Sequence, residues 1–272
     1  LERGKEGVPL LGEALAARAE RAEGTARAEA LTGLARLLSG PLAEPDRPGL
    51  VVDGVAGGEG AGARERVQPL LLGGDLTDHG LPAEAEALAE ALSRLRVPCA
   101  AVLGNHDWEA NAVKEVVRIL AAAKVLVLDG DHAVLDGRLG VAGVKGFAGG
   151  FGAGMLQAFG EPVVKAFVQE AVNEALRLEA ALAQLDAPKK VVLMHYAPIP
   201  ETTAGEAPEL SAYLGTTRLA APCDAFGARA VFHGHAHHGA PEGRTPGGVP
   251  VYNVAMPVLA RLSGRPFRLV EL

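Results

Sequence analysis

Aromatic residues are scarce: Phe, Trp and Tyr make up 4% of the 272 residues, with one Trp. A core must then come mainly from Ala, Val and Leu, and the apolar share of 49% is enough to build one. Cysteine is nearly absent. Cys99 and Cys223 lie more than a hundred residues apart, which excludes a disulfide scaffold, a thiolate metal motif and a redox pair. A single disulfide between them has no support, and two reduced thiols are the plain reading. Positive charge is also short, with 26 Lys and Arg against 33 Asp and Glu and a net charge of −7. That balance argues against a protein that grips duplex nucleic acid through its phosphates. No apolar run approaches the ~20 residues of a membrane span. The opening LERGKEG lacks the basic-then-apolar order of a signal peptide. The expectation is a cytoplasmic protein with no membrane segment.

The length allows one large α/β domain or two small ones. The first 67 residues contain no Phe, Trp, Tyr, His, Ile, Met, Cys or Asn. Residues 11–39 fit an Ala/Leu/Arg/Glu helix, and residues 54–64, GVAGGEGAGAR, a flexible glycine-rich loop. We therefore separate an atypical segment, 1–67, divergent or non-native, from a globular domain over 68–272. In that domain short apolar runs alternate with helical patterns. Strands are predicted at 70–75, 97–105, 124–128, 190–196, 229–234, 249–255 and 266–272. Helices are predicted at 81–95, 111–123 and, longest, 163–186. The first helix carries a stripe of Leu81, Ala85, Leu88, Leu92 and Leu95. A hairpin over 132–144 turns at Asp136-Gly137. This order predicts a layered α/β domain with mixed sheets.

What the chain has in excess is local. VFHGHAHHG, 231–239, holds four of its eight histidines, His233, His235, His237 and His238. Imidazole is the commonest metal-binding side chain. Polar groups recur just after apolar strands: Asp75 and Asp78 in GGDLTDHG, Asn105, His106 and Asp107 in LGNHD, His195 after VVLM, and His235 and His237 after VFHG. The carboxyl ends of strands in open α/β sheets form one rim where ligands bind. Preceding glycines, Gly74, Gly104 and Gly234, permit sharp exits and close backbone approach. Carboxylate, amide oxygen and imidazole together suit Mn, Fe or Zn. Taken singly, Asp75 and Asp78 read as turn formers, Asn105 as a turn residue and His195 as a core histidine. His79 and His132 read as solvent-facing. GFAGGFGAG, 146–154, lacks the GK[ST] ending of a phosphate loop and reads as a mobile loop over the site or a plain linker.

Four blocks in order, Gly74-Asp75-Leu76-Thr77-Asp78, Gly104-Asn105-His106-Asp107, His195 and Gly234-His235-Ala236-His237, resemble the calcineurin-like metallophosphoesterase family. The resemblance covers about residues 68–272. It implies two mixed β-sheets packed as a sandwich flanked by helices, four layers in all. It implies hydrolysis of a phosphomonoester or phosphodiester by a metal-bound hydroxide. By it Asp75 bridges two ions, Asn105, His195 and His235 complete one, and His237 serves the other. His106 faces the phosphate as general acid or charge stabiliser, oriented by Asp107. Asp78 supports the loop, while His233 and His238 are bystanders. The substrate is then a small phosphorylated molecule, with a nucleotide among the candidates, and the chain carries one or two divalent ions.

The family's first block, D-x-H, has no counterpart. Asp53 in GLVVDGV is the nearest candidate, but Val55 stands where histidine is due, and no histidine precedes His79. Three explanations remain open: a divergent enzyme with one strong and one weak metal, a non-native translation of 1–67, or a pseudoenzyme that binds phosphate ligands without turnover.

Overall fold

The structure, a computed structural model, describes residues 50–52, 69–93, 95, 97–264 and 267–272. The helix at 11–39, the loop at 54–64 and Asp53 lie outside the described residues. Strand β1 (Leu50–Val52) pairs antiparallel with the last strand, β11 (Phe267–Leu269). Strands β2 (Leu70–Gly73), β3 (Cys99–Val102) and β4 (Val125–Val127) form a parallel three-stranded sheet in that order. Parallel neighbours need a crossover, and helices α1 (Pro82–Ser93) and α2 (Val113–Ala122) supply it.

A six-stranded mixed sheet follows, in the order β5-β6-β7-β8-β10-β9. Its strands are β5 (Asp131–Leu135), β6 (Leu139–Val144), β7 (Lys189–Met194), β8 (Ala230–His233), β9 (Glu242–Arg244) and β10 (Pro250–Asn253). Pairing is parallel through β6, β7, β8 and β10 and antiparallel at both edges. Helix α3 (Pro162–Gln184) crosses from β6 to β7. Three shorter helices are α4 (Ser211–Leu214), α5 (Ala220–Ala225) and α6 (Met256–Ser263).

The two sheets stack because their central strands are apolar on both faces. Along β7, Val191 and Leu193 enter the layer that also holds Leu70, Ala100, Val102 and Phe232. Val192 and Met194 point the other way, against Leu178 and Leu182 of α3. This period-2 division builds two cores from one strand. Helices α1 and α2 cover the three-stranded sheet through Ala85, Leu88, Leu92, Val116 and Leu120. The result is the helix–sheet–sheet–helix sandwich.

Most predicted elements are found, shortened at their ends. Asp136 and Gly137 turn the β5–β6 hairpin with φ of 52° and 66°, the sign pattern of a type I′ turn. Leu81 departs from the stripe: it precedes α1 and is exposed. Strand β9 and helix α6 were not predicted: β9 is three residues with no apolar side chain, and α6, though amphipathic, is only eight residues long. Cys99 and Cys223 are buried and unpaired, and burial pushes the Cys99 thiol up to about 12. Among the described residues, no helix is long and apolar enough to cross a membrane.

Two stability predictions follow from the packing. Gly143 on β6 faces the other sheet, where an added Cβ would stand 2.5 Å from Leu128 Cβ and 3.0 Å from Val102 Cγ1. Gly143→Ala should cost about 1–3 kcal/mol, read as a lower urea midpoint at unchanged slope. His233, the last residue of β8, is fully enclosed. Its Nδ1 donates to the carbonyl of Gly234 at 2.8 Å, and its Nε2 lies 2.8 Å from Thr202 Oγ1. Burial pushes its imidazole from 6.5 down to about 4. As pH falls through that window the unfolded chain takes up a proton that the folded chain refuses. The metal-free protein should therefore lose up to about 3 kcal/mol of stability. Denaturant midpoints measured against pH should show a shallower fall in His233→Gln.

Candidate metal centre

Strands β2 and β3 run parallel, as do β7 and β8, so each pair delivers its carboxyl-terminal residues to a common edge. Asp75 follows β2, Asn105 follows β3, His195 follows β7 and His235 follows β8. One ligand atom of each of Asp75, His195 and His235 lies within 4.8 Å of the other two. Asn105 Oδ1 stands 2.9 Å from His195 Nε2, and Asp75 Oδ1 stands 3.4 Å from it.

The His195 ring is oriented from behind. Its Nδ1 is 2.9 Å from the carbonyl of Gly73. A carbonyl only accepts, so Nδ1 carries a proton, and the ring without a second proton turns the Nε2 lone pair toward the two oxygens, the form that ligates a metal. Three acceptors then face one another, which is an arrangement that a cation resolves. His235 Nε2 lies 3.2 Å from the carbonyl of Tyr213, which by the same reasoning leaves the lone pair on Nδ1. Burial pushes the His235 imidazole down to about 3, so the ring is neutral at physiological pH. Two imidazoles, a carboxylate and an amide oxygen fit a borderline dication.

The backbone is bent to achieve this. Asp75 and His235 adopt left-handed φ of 48° and 66°, uncommon for residues with a Cβ. The glycines have a steric role. A Cβ on Gly104 would stand 2.0 Å from Asp75 Oδ1, and one on Gly74 would stand 2.5 Å from His195 Nδ1.

A family model described as calcineurin-like phosphoesterase matches residues 58–239. The chain belongs to this family. Its match begins inside the segment that composition sets apart. Among solved structures, the chain is similar to the phosphopantetheinyl hydrolase of Mycobacterium tuberculosis, with 19% identity, a TM-score of 0.54, and coverage of 75% of this chain and 86% of that one. A Thermus thermophilus protein, TT1561, shows 19% identity and a TM-score of 0.42 over 65% of this chain and 71% of its own. A third solved chain matches at 18% identity and a TM-score of 0.45, and the overlap is 65% of each chain. No curated protein sequence matches the chain.

Around the calcineurin-like cluster, the remaining candidates occupy distinct places. His106 Nδ1 lies 2.7 Å from the carbonyl of Asp78 and 3.2 Å from Glu109 Oε1. Sequence reasoning has Asp107 orienting His106, but the carboxylate of Asp107 is engaged elsewhere. Its Oδ2 accepts from the N–H of Gly104 (2.8 Å) and of Leu76 (3.1 Å). Its Oδ1 accepts from the N–H (2.8 Å) and hydroxyl (2.6 Å) of Thr77. Asp107 therefore ties the loop after β3 to the loop after β2. Burial pushes its carboxyl up, against the pull of these donors. Asp75 Oδ1 accepts from the N–H of His106 at 3.0 Å, which adds to the same tie.

His237 is exposed and lies outside the three-residue cluster. His79 is exposed, beside Glu109 at 3.4 Å. Behind the histidine loop, the buried Asn253 amide donates to the carbonyls of Ala236 (2.8 Å) and Thr202 (3.1 Å). Sequence reasoning missed Glu109, Tyr213 and Asn253. Glu109 is three positions from His106, a helical spacing that could have flagged it. Tyr213 acts through its carbonyl, which no residue type announces.

Asp107→Asn provides a test. An amide replaces one acceptor oxygen by two N–H donors, which then face backbone donors. Stability should fall by about 1–3 kcal/mol. An unchanged urea midpoint would mean that the carboxylate does not tie the loops.

Proposed function

We propose that the chain hydrolyses a phosphate ester, mono- or diester, with a divalent cation held by Asp75, Asn105, His195 and His235. The observation that carries this reading is the convergence of those acceptors from four strand ends, with His195 fixed in the tautomer that ligates. Mn, Fe or Zn bound there supplies Lewis acidity and a water whose pKa is lowered toward neutrality. His106 has its Nδ1 committed to the Asp78 carbonyl, so Nε2 is the nitrogen that meets the phosphate. As imidazolium the ring would carry a second proton on Nε2, to donate to the leaving oxygen or to neutralise charge that develops on the phosphoryl group. Glu109 and Asp78 hold that ring. Asp107 serves the reaction by fixing the loops of Asp75 and Asn105.

A second ion, where one binds, would be held by Asp75 and His237, so the chain would carry one or two ions. The substrate is a small phosphorylated molecule, nucleotides included. A net charge of −7 disfavours duplex nucleic acid, and two unpaired buried thiols suit the reducing cytoplasm.

A second reading, a phosphate-binding protein without turnover, draws on the position of His237 outside the cluster. Elemental analysis and assays of a phosphomonoester and a phosphodiester with added Mn²⁺ separate the two. About one ion per chain with no hydrolysis establishes the binding protein. For the enzyme, Asp75→Asn should strip the metal. His106→Ala should lower turnover about 100-fold or more while metal content stays. Retention of both metal and turnover in Asp75→Asn would falsify the ligand assignment.

A further inference from the structure

Residues 146–160, GFAGGFGAGMLQAFG, contain no charged side chain, although most of 151–160 is exposed. The segment is bound along its length to the loop that carries α4. The N–H of Gly149 donates to the carbonyl of Ala212 at 2.8 Å, and that of Gly150 to the carbonyl of Gly215 at 2.8 Å. The N–H of Gly152 donates to Thr217 Oγ1 at 2.9 Å, and Arg218 Nη2 to the carbonyl of Leu156 at 3.1 Å. A Cβ on Gly150 would stand 3.6 Å from Met155 Cα and 3.7 Å from Ala212 Cα, so Gly150 lies between Met155 and Ala212. The carbonyl of Tyr213 in turn reaches His235. The joined loops are thus a wall that starts at the metal centre.

The wall presents apolar side chains to solvent: Leu156 is 36% exposed, Leu210 46% and Tyr213 60%. Leu210 and Tyr213 are three apart through a helical turn and so are surface neighbours. Single exposed apolar residues are ordinary, but a contiguous set at the lip of a site marks a binding surface. Charges of both signs stand nearby. Glu206 and Glu209 stand in the second loop, and the guanidinium of Arg218 is committed to Leu156 and Thr216.

We infer that this wall binds the organic part of the ester, and that this part is an uncharged apolar group, alkyl, acyl or aromatic. The inference rests on the phosphoesterase reading. Residues 146–160 offer a ligand no charged side chain, and Leu156, Leu210 and Tyr213 gain by leaving water.

A homologous series of n-alkyl phosphates, ethyl to octyl, and their methyl diesters tests it below micellar concentrations with added Mn²⁺. The leaving alcohol changes little in acidity along the series, so kcat/KM reports contact with the chain. Full burial is worth about fourfold per methylene. The expected result is a rise of at least tenfold from ethyl to octyl. Leu156→Ser and Tyr213→Ser should each lower the octyl-to-ethyl ratio several-fold, a ratio measured within one variant and so insensitive to partial misfolding. A flat series on an enzyme that hydrolyses the ethyl ester overturns the inference and leaves the phosphoesterase reading standing. Hydrolysis of no member by the metal-loaded protein overturns both.

Discussion

The hydrogen bond from His195 Nδ1 to the carbonyl of Gly73 spans 122 positions and joins the ends of β7 and β2, one strand from each sheet. Three consequences follow from it. It satisfies a carbonyl that the ladder of β2 leaves behind, which burial would otherwise penalise. It fixes the tautomer of the ring, so the nitrogen turned to Asn105 and Asp75 is the one left to ligate. It also sets how closely the two sheets approach at this edge, which is why Gly74 has no room for a Cβ. A two-sheet sandwich alone would bring apolar faces together. This bond brings together strand ends.

Assembling acceptors without a proton among them is unfavourable, and the surrounding structure has to impose it. At Asp75 the constraint comes from the N–H of His106 on its carboxylate and from Asp107 gripping the two residues that follow. At His235 it comes from Asn253, which holds the carbonyl of Ala236, and from the carbonyl of Tyr213 on the ring. Both residues are left-handed at the backbone, and both are gripped on the next residue along the chain. The two halves of the centre reach the same solution by different side chains. A cation bound there would relieve the repulsion only in the folded state and would therefore stabilise the fold that built the site.

Much of this was legible in the sequence, for a definite reason. The pattern of apolar run, glycine and polar residue has a single geometric meaning at the end of a parallel strand, and it recurs at Asp75, Asn105 and His235. The alternation along β7 and the Asp136-Gly137 turn were readable because side-chain period and positive φ are properties of residue type. Strand β9 was not readable, since Glu242-Gly243-Arg244 has no apolar side chain, and helix α6 was missed because eight residues give its apolar face only two turns to repeat. The role of Asp107 was misjudged because the sequence shows that His106 and Asp107 are adjacent. It does not show that successive side chains in a tight turn point apart. The carbonyls of Gly73, Asp78 and Tyr213 do much of the positioning, and every residue type has one.

The centre and its wall are held by different kinds of bond, and that difference governs which parts of the molecule can change. The centre depends on named side chains at fixed points: a carboxylate with no donor of its own at Asp107, an imidazole at His195, glycines where a Cβ would collide. The wall depends on backbone groups of Gly149, Gly150 and Gly215 pairing with one another and with Ala212, with one bond each added by the side chains of Thr217 and Arg218. Such pairing is indifferent to the side chains at Leu156, Leu210 and Tyr213. Substitutions at those three positions can therefore alter what the wall recognises without disturbing where it stands. A substitution at Asp107 or Gly104 moves the ligands themselves. A fold that separates the two in this way can keep one phosphate chemistry while its choice of ester drifts.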